Sequence, residues 1–243
     1  MKKWLSYPLS VIYFICFGLS LLIFHPIQWI CHNIFGYEAH KRSVSVLNWF
    51  LIRCTNILGT RYTFSNEHKI PENTPLIIAT NHQSMNDIPA IIWYMRRHHP
   101  KFVAKKELAK GIPSISFNLR HGGSVSIDRK DAKQALSQIA KLGQYIEKHN
   151  RSAVIFPEGT RSRDGNPKPF RTAGLKVLME NAPSAWIVPI SINNSWKLLR
   201  YGKFPMGLGV HITFEVHPPI KNVGEPIKLI QQTEALVKKG INT

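Results

Sequence analysis

Leu76-Ile77-Ile78-Ala79-Thr80-Asn81-His82-Gln83-Ser84-Met85-Asn86-Asp87 decides the fold of this chain. The first five residues form a short apolar run of strand length, ending on a β-branched threonine. Asn81, Ser84 and Asn86 are all acceptable helix-start residues, and Ile88 to Arg97 continues with a helical pattern. A buried strand that passes straight into a helix is the repeating unit of an α/β sheet.

The same alternation extends along the chain. Phe102 to Ala104, Ser124 to Ile127, Ala153 to Phe156, Trp186 to Ile192 and His211 to His217 read as further strands. Asp131 to His149 carries Leu136, Ile139, Leu142 and Ile146 near helical spacing, with Asp131 placed for the first turn. A helix is also expected from about Thr172 to Asn181, and Gly165, Asn166, Pro167 and Pro169 mark an exposed loop before it. The expected fold is α/β, a central mostly parallel sheet flanked by helices, with an N-terminal hydrophobic helical membrane segment. Residues 1–60 are assigned to the membrane-associated helices and residues 61–243 to the α/β domain.

After Lys3 no Asp, Glu, Lys or Arg occurs before Glu38, and Leu9 to Phe24 is almost wholly apolar. Sixteen residues at 1.5 Å each reach roughly 24 Å, short of the ~30 Å hydrocarbon layer. A full span needs help from Trp4 to Pro8 or local thinning, and Pro26 is expected to break or bend the helix, so that two partly immersed helices fit at least as well. A cleaved signal peptide would share the basic start and apolar core. No Ala-x-Ala site follows, so retention is expected. Lys2, Lys3, Lys41, Arg42 and Arg53 put basic residues on the cytoplasmic side if the segment enters and returns. The expected location is the cytoplasmic face of a membrane, a bacterial inner membrane. The 32 Lys and Arg against 14 Asp and Glu give +18, which calls for an anionic partner without choosing among lipid, phosphorylated small molecules and nucleic acid. No zinc-finger, RRM-like or helix-turn-helix signature accompanies that charge, so nucleic acid is not expected. Cys16, Cys31 and Cys54 form no CxxC pair, and no metal site is suggested.

The chemistry concentrates at strand ends. His82 follows the strand ending at Thr80. A five-residue step along an ideal helix leaves His82 and Asp87 about 140° apart, so they meet only if His82 precedes the helix and Asp87 opens it. A carboxylate there fixes the imidazole tautomer and leaves the other ring nitrogen to take a proton from a hydroxyl. Alone, such a pair more often only starts and solvates a helix. Ser84 reads as a helix-start residue, because two residues from His82 it is badly placed as a nucleophile and no Gly-x-Ser-x-Gly elbow exists. Lys105 and Arg129 follow the next two strands. Phe156-Pro157-Glu158-Gly159-Thr160-Arg161-Ser162 follows another: Pro157 and Gly159 force a turn, Arg161 can grip a phosphate bidentately, and Glu158 can accept from a hydroxyl or orient Arg161. A base beside an anion site results.

Asn81 to Asp87, Gly123 to Arg129, Phe156 to Ser162 and Val188-Pro189-Ile190, in that order, resemble the four blocks of the glycerolipid acyltransferase family. The chain departs from the family pattern at Ala173-Gly174, where a Gly followed by a small residue is usual, and at Ser124-Val125-Ser126, where bulkier apolar residues are common. The resemblance, strongest to members that act on 1-acylglycerol 3-phosphate (lysophosphatidic acid), implies transfer of a fatty acyl group to the sn-2 hydroxyl of that acceptor, giving phosphatidic acid at a membrane surface. The donor is acyl-CoA or acyl-carrier protein, and no other cofactor is implied. His82 is then the general base and Asp87 its orienter, catalytic residues both. Arg129, Glu158 and Arg161 bind the acceptor, with Gly159 and Thr160 in the same substrate-binding turn and Lys105 as a further phosphate contact. Backbone N–H groups just after His82 are a guess for the oxyanion donors.

Overall fold

The computed structural model describes the backbone of residues 2–241. Eight strands form one sheet: β1 (Arg61–Ser65), β2 (Leu76–Thr80), β3 (Pro100–Lys105), β4 (Val125–Ile127), β5 (Ser152–Ile155), β6 (Trp186–Asn193), β7 (His211–Val216) and β8 (Ile220–Lys221). Their order across the sheet is β1-β7-β6-β2-β5-β3-β4, with β8 on β6. Pairing is antiparallel only where β6 meets β7 and β8; the other five pairs are parallel.

Period-two alternation divides each central strand between two cores. Leu76 and Ile78 of β2, Val154 of β5 and Val188, Ile190 and Ile192 of β6 face one layer. Ile77, Ala79, Ala153, Ile155 and Ile187 face the other. The first layer is filled by α1 (Lys2–Asn56) and α2 (Asp87–Tyr94), the second by α4 (Ala132–His149), α5 (Thr172–Glu180) and α6 (Pro226–Lys239). Both faces being covered explains why β2 and β5 are apolar throughout. Helix α4 buries Ile139, Leu142 and Ile146, and the Asp131 carboxylate caps it by accepting from the Gln134 N–H at 2.9 Å. Helix α5 runs through Ala173 and Gly174, where a Cβ at Gly174 would meet Ile139 Cδ1 at 3.3 Å. The glycine there serves the close approach of α5 to α4. A short helix, α3 (Ile115–His121), lies against α1.

The N-terminal segment bends at Gly36, where the backbone sits at φ 77° and ψ −166°, and helical geometry continues through Pro8 and Pro26. The expected break at Pro26 is therefore corrected. Proline's fixed φ fits a helix and removes one hydrogen bond, whereas the Gly36 conformation is closed to any residue with a Cβ. Residues 2–35 and 37–56 fold back as a hairpin, bringing Phe24 to Phe50 (5.5 Å) and His32 to His40 (5.3 Å). This hairpin shares the first core. Tyr13 is fully buried there with Val44, Ile52 and Leu58. The Ser10 hydroxyl accepts from the Met206 N–H at 2.8 Å, and the Ser114 hydroxyl donates to the Leu21 carbonyl at 2.6 Å.

Candidate active site

Strand β5 lies between β2 and β3, so the chain leaving β2 enters α2 on one face while the chain leaving β5 enters α5 on the other. The crevice between the carboxyl ends of two such neighbours is where α/β sheets bind ligands. The parallel register Ala79↔Ile155 carries Asn81 to Asp87 and Phe156 to Ser162 out of the sheet side by side. The His82 N–H donates to Glu158 Oε1 (3.0 Å) and the Ser162 N–H donates to the His82 carbonyl (2.8 Å), stitching the two turns together. From the far side, the Asn81 amide exchanges two hydrogen bonds with the Ile192 backbone, at 2.7 and 2.8 Å, and anchors the turn to β6.

His82 precedes α2 and Asp87 is its first residue, the one arrangement in which the pair can meet. His82 Nδ1 lies 2.8 Å from Asp87 Oδ2. The Asp87 carboxylate is wholly buried, and the Gln83 and Ser84 N–H groups also donate to Oδ2, at 2.8 and 2.9 Å. The Ser195 hydroxyl donates to Oδ1 in a short hydrogen bond. Converging donors stabilise the charged carboxylate where water is absent, and the acceptor they hold fixes the proton on His82 Nδ1. The lone pair of the ring is then on Nε2. The ring is held by stacking on Phe156, 4.0 Å between centroids at 22°.

Two sequence-based ideas about this turn are settled by these bonds. The Gln83 and Ser84 N–H groups are consumed by Asp87, so the guess that they serve as oxyanion donors is corrected. The Ser84 hydroxyl is buried, lies 2.6 Å from that of Ser195 and accepts from the Asn86 N–H at 3.0 Å; it is part of the scaffold.

Arg161 Nε donates toward His82 Nε2 at 3.3 Å, which brings the guanidinium of the second turn onto the reactive nitrogen of the first. Arg129, exposed two residues beyond β4, is drawn below its ordinary value by partial burial and by the charges of Arg161 and Arg171, with Glu107 opposing. Three guanidinium groups thus gather at this edge. Lys105 is exposed at the end of β3, in register with Ile127. Gly159 turns at φ 71°, and a Cβ there would come within 3.2 Å of Arg171 Nε, so this glycine gives the chain its bend and Arg171 its berth. The exposed Thr160 hydroxyl accepts from Lys168 Nζ at 2.8 Å, and Lys168 Nζ also donates to the Arg161 carbonyl at 3.1 Å, bracing the loop.

Glu158 is 2% exposed, and burial pushes its carboxyl up to about 7 against the hydrogen bonds from the His82 and Lys168 N–H groups. A carboxyl only partly ionised near neutral pH leaves less negative charge beside the guanidinium cluster, to the benefit of an anionic ligand. A carboxyl raised on folding favours the fold while protonated: the contribution is complete below the unfolded-state value and is lost as pH rises through about 7. Between pH 5 and 8 the melting temperature of the protein should therefore fall more steeply than that of Glu158→Gln, which keeps a neutral side chain with one acceptor oxygen. Parallel curves for the two proteins in thermal unfolding would refute this.

Residues 61–193 match the family model described as Acyltransferase. The chain belongs to the acyltransferase family. A 1-acyl-sn-glycerol-3-phosphate acyltransferase of Pseudomonas aeruginosa is 28% identical over 235 residues, covering 95% of this chain and 89% of its own. The Helicobacter pylori protein of the same name is 37% identical over 134 residues, 51% of this chain and 54% of that one. The human 1-acyl-sn-glycerol-3-phosphate acyltransferase beta is 28% identical over 138 residues, 57% of this chain and 49% of its own length. The chain thus spans about half the length of the latter two relatives. The crystal structure of the 1-acyl-sn-glycerophosphate (LPA) acyltransferase PlsC of Thermotoga maritima superposes with a TM-score of 0.80 over 99% of this chain and 96% of that one, at 21% identity, which establishes a shared fold.

Within this acyltransferase fold the structure brings His82, Asp87, Glu158 and Arg161 together, and two further residues join them. Arg171 lies in the chain ten residues beyond Arg161, and the signal for it is its place just before α5, tied back by its N–H donating to the Pro157 carbonyl at 2.9 Å. Ser195 follows β6 and carries no local pattern at all.

Proposed function

We propose that the protein transfers a fatty acyl group from acyl-CoA or acyl-carrier protein to the sn-2 hydroxyl of 1-acylglycerol 3-phosphate. The observation that carries this reading is the contact of Arg161 with His82 Nε2, which sets a guanidinium within hydrogen-bond distance of an imidazole. The names of the relatives point to the same acceptor.

In the reaction the acceptor phosphate draws the Arg161 guanidinium away from His82, toward Arg129 and Arg171, and uncovers Nε2. His82 Nε2 takes the proton of the hydroxyl as its oxygen attacks the thioester carbonyl. The tetrahedral intermediate collapses with loss of thiolate, which recovers that proton from the imidazolium. No acyl-enzyme is formed. The buried Ser84 hydroxyl is bound to Ser195 and Asn86, and the three cysteines lie in α1. Ser195 acts through Asp87 as a positioning residue. A hydrogen bond to a charged group contributes about 1.5–3 kcal/mol, so Ser195→Ala should lower kcat at least about tenfold while KM for the acceptor stays within about twofold. Unchanged kcat in steady-state assays would remove Ser195 from the mechanism.

The N-terminal hairpin supports a membrane-surface setting. Residues 2–35 form a helical limb of roughly 50 Å. One face of it carries Trp4, Val11, Ile15, Leu19, Leu22, Ile23, Ile30 and Ile34, all exposed and recurring at helical spacing. The opposite face is fastened to the α/β layers along its length by Ser10, Tyr13, Leu21 and His25. A helix so fastened lies in the interfacial plane rather than crossing the bilayer, and the surplus of basic residues suits an anionic, cytoplasm-facing leaflet.

Purified protein assayed with 1-acylglycerol 3-phosphate, glycerol 3-phosphate, a choline lysolipid and water alone, each with both donor types, tests the assignment. Product from the first acceptor only is expected. Donor loss independent of every acceptor would instead make the protein a thioester hydrolase.

A further inference from the structure

The opposite edge of the sheet holds a second gathering of cationic groups, separate from the chemistry at His82. Lys101, at the start of β3, is 6% exposed, with Nζ 4.9 Å from the centre of the Tyr37 ring. The Arg151 guanidinium lies 3.7 Å over the same ring. Lys41 Nζ is 2.9 Å from His99 Nε2, and because an ammonium only donates, that nitrogen is the acceptor. His99 Nδ1–H then donates to the Tyr37 hydroxyl, 3.0 Å away, so the imidazole is neutral and brings no charge. Arg96 adds a further cation to the rim. Against these, the carboxylate acting on Lys101 among the described residues is Glu38, whose side chain is 59% exposed and is paired with Lys41 at 3.1 Å.

Such an arrangement is unfavourable as it stands. An ammonium taken out of water needs an anionic partner, and burial together with Arg151 and Lys41 pulls Lys101 down to about 7. A cavity of about 20 Å³ adjoins it, lined by His40, Lys41, Arg96, His99, Lys101 and Ser124 among others. His40, at 1% exposure, lines this cavity, and its Nε2 has no hydrogen-bond partner among the described residues. A space of this size is enough for one or two water-sized atoms, hence for an oxygen of a larger anion whose remaining atoms stay at the mouth.

We propose that Tyr37, His40, Lys41, His99, Lys101 and Arg151 form a second anion site that takes a phosphate group. Three cations on a largely neutral frame match a phosphate better than a single carboxylate. The site lies four residue steps back along β3 from Lys105, roughly 13 Å, and so is distinct from the guanidinium cluster at the catalytic edge. Tyr37 and Lys41 sit just past the Gly36 bend, so an occupied site fastens the second limb of the hairpin to the starts of β3 and β5. The phosphate comes either from solution or from the headgroup of an anionic phospholipid.

Thermal unfolding of the full chain in neutral detergent distinguishes the sources. One arm adds inorganic phosphate at constant ionic strength, and the other adds phosphatidylglycerol to the micelles. The melting temperature should rise by about 3 °C at saturating ligand in the wild type and in Arg161→Ala, and the rise should vanish in Lys101→Met and in Arg151→Gln. A rise with inorganic phosphate identifies a soluble ligand, and a rise with the lipid alone identifies a headgroup. Any other pattern across the four proteins, including no rise in the wild type with either probe, overturns the site. If Lys101→Met does not fold, Arg151→Gln decides.

Discussion

His82→Ala should fold like the parent and lose about 10³-fold in kcat, within the 10²- to 10⁴-fold that a positioned base supplies. The loss falls on kcat, because in the proposed mechanism Nε2 serves the proton transfer while guanidinium groups hold the acceptor phosphate. Folding should survive although His82 is buried, since the turn is fixed by the His82 N–H and carbonyl, which alanine retains. Removing the ring from Phe156 costs stacking contact of about 1 kcal/mol and should appear as a small decrease in melting temperature. Steady-state kinetics with the phosphate-bearing acceptor reads the effect. A kcat within tenfold of the wild type, in protein with an unchanged far-UV spectrum, would mean that the hydroxyl is activated without His82.

Asp87→Asn should cost as much or more, about 10³- to 10⁴-fold in kcat, for a different reason. An amide retains one acceptor oxygen and introduces an NH₂ donor where four donors already converge on the carboxylate: His82 Nδ1–H, the Gln83 N–H, the Ser84 N–H and the Ser195 hydroxyl. If the amide turns its oxygen to the two N–H groups and to His82, its NH₂ faces Ser195, whose hydroxyl must turn to accept, and the negative charge that supports an imidazolium is lost. If it turns the other way, the NH₂ faces His82 Nδ1, drives the proton onto Nε2, the nitrogen that must accept, and opposes the buried Gln83 and Ser84 N–H groups at a cost of about 1–3 kcal/mol. Either outcome spoils the site. The variant should therefore combine a lower melting temperature with a lower kcat. Wild-type kcat in Asp87→Asn would contradict the role given to the carboxylate.

The elements that were legible in the sequence are those governed by local rules. The apolar runs of β2, β5 and β6, the amphipathic stripe of α4 with its Asp131 cap, and the His82–Asp87 geometry follow from side-chain period and helix-start chemistry. Strand order does not, because the insertion of β5 between β2 and β3 depends on contacts far apart in the chain. That insertion is what sets the two motifs side by side. Strand β1 was missed because it is a half-exposed edge strand, Arg61 to Ser65, with no apolar run. Helix α6 was missed because its buried residues, Leu229, Ile230, Thr233 and Val237, are thinly spread through a polar segment. Proline is the familiar helix breaker and draws the expectation of a bend to Pro26, yet the turn requires the positive-φ backbone that Gly36 supplies. Ser195 reaches the site from the end of β6 with no local pattern to single it out, and Arg171 comes from the start of α5, where only its place before the helix marks it.

The division of labour between the two turns is tested most directly by acceptor preference. The ratio of kcat/KM for 1-acylglycerol 3-phosphate to that for the same 1-acylglycerol without phosphate is measured in the wild type and in Arg161→Ala. If Arg161 holds the phosphate, a charge-assisted contact of about 1.5–3 kcal/mol should make the wild-type ratio fall at least about tenfold in the variant, with most of the loss on the phosphate-bearing acceptor. A ratio left unchanged by the substitution would contradict the account, because the guanidinium beside His82 would then have no part in aiming the hydroxyl at the base.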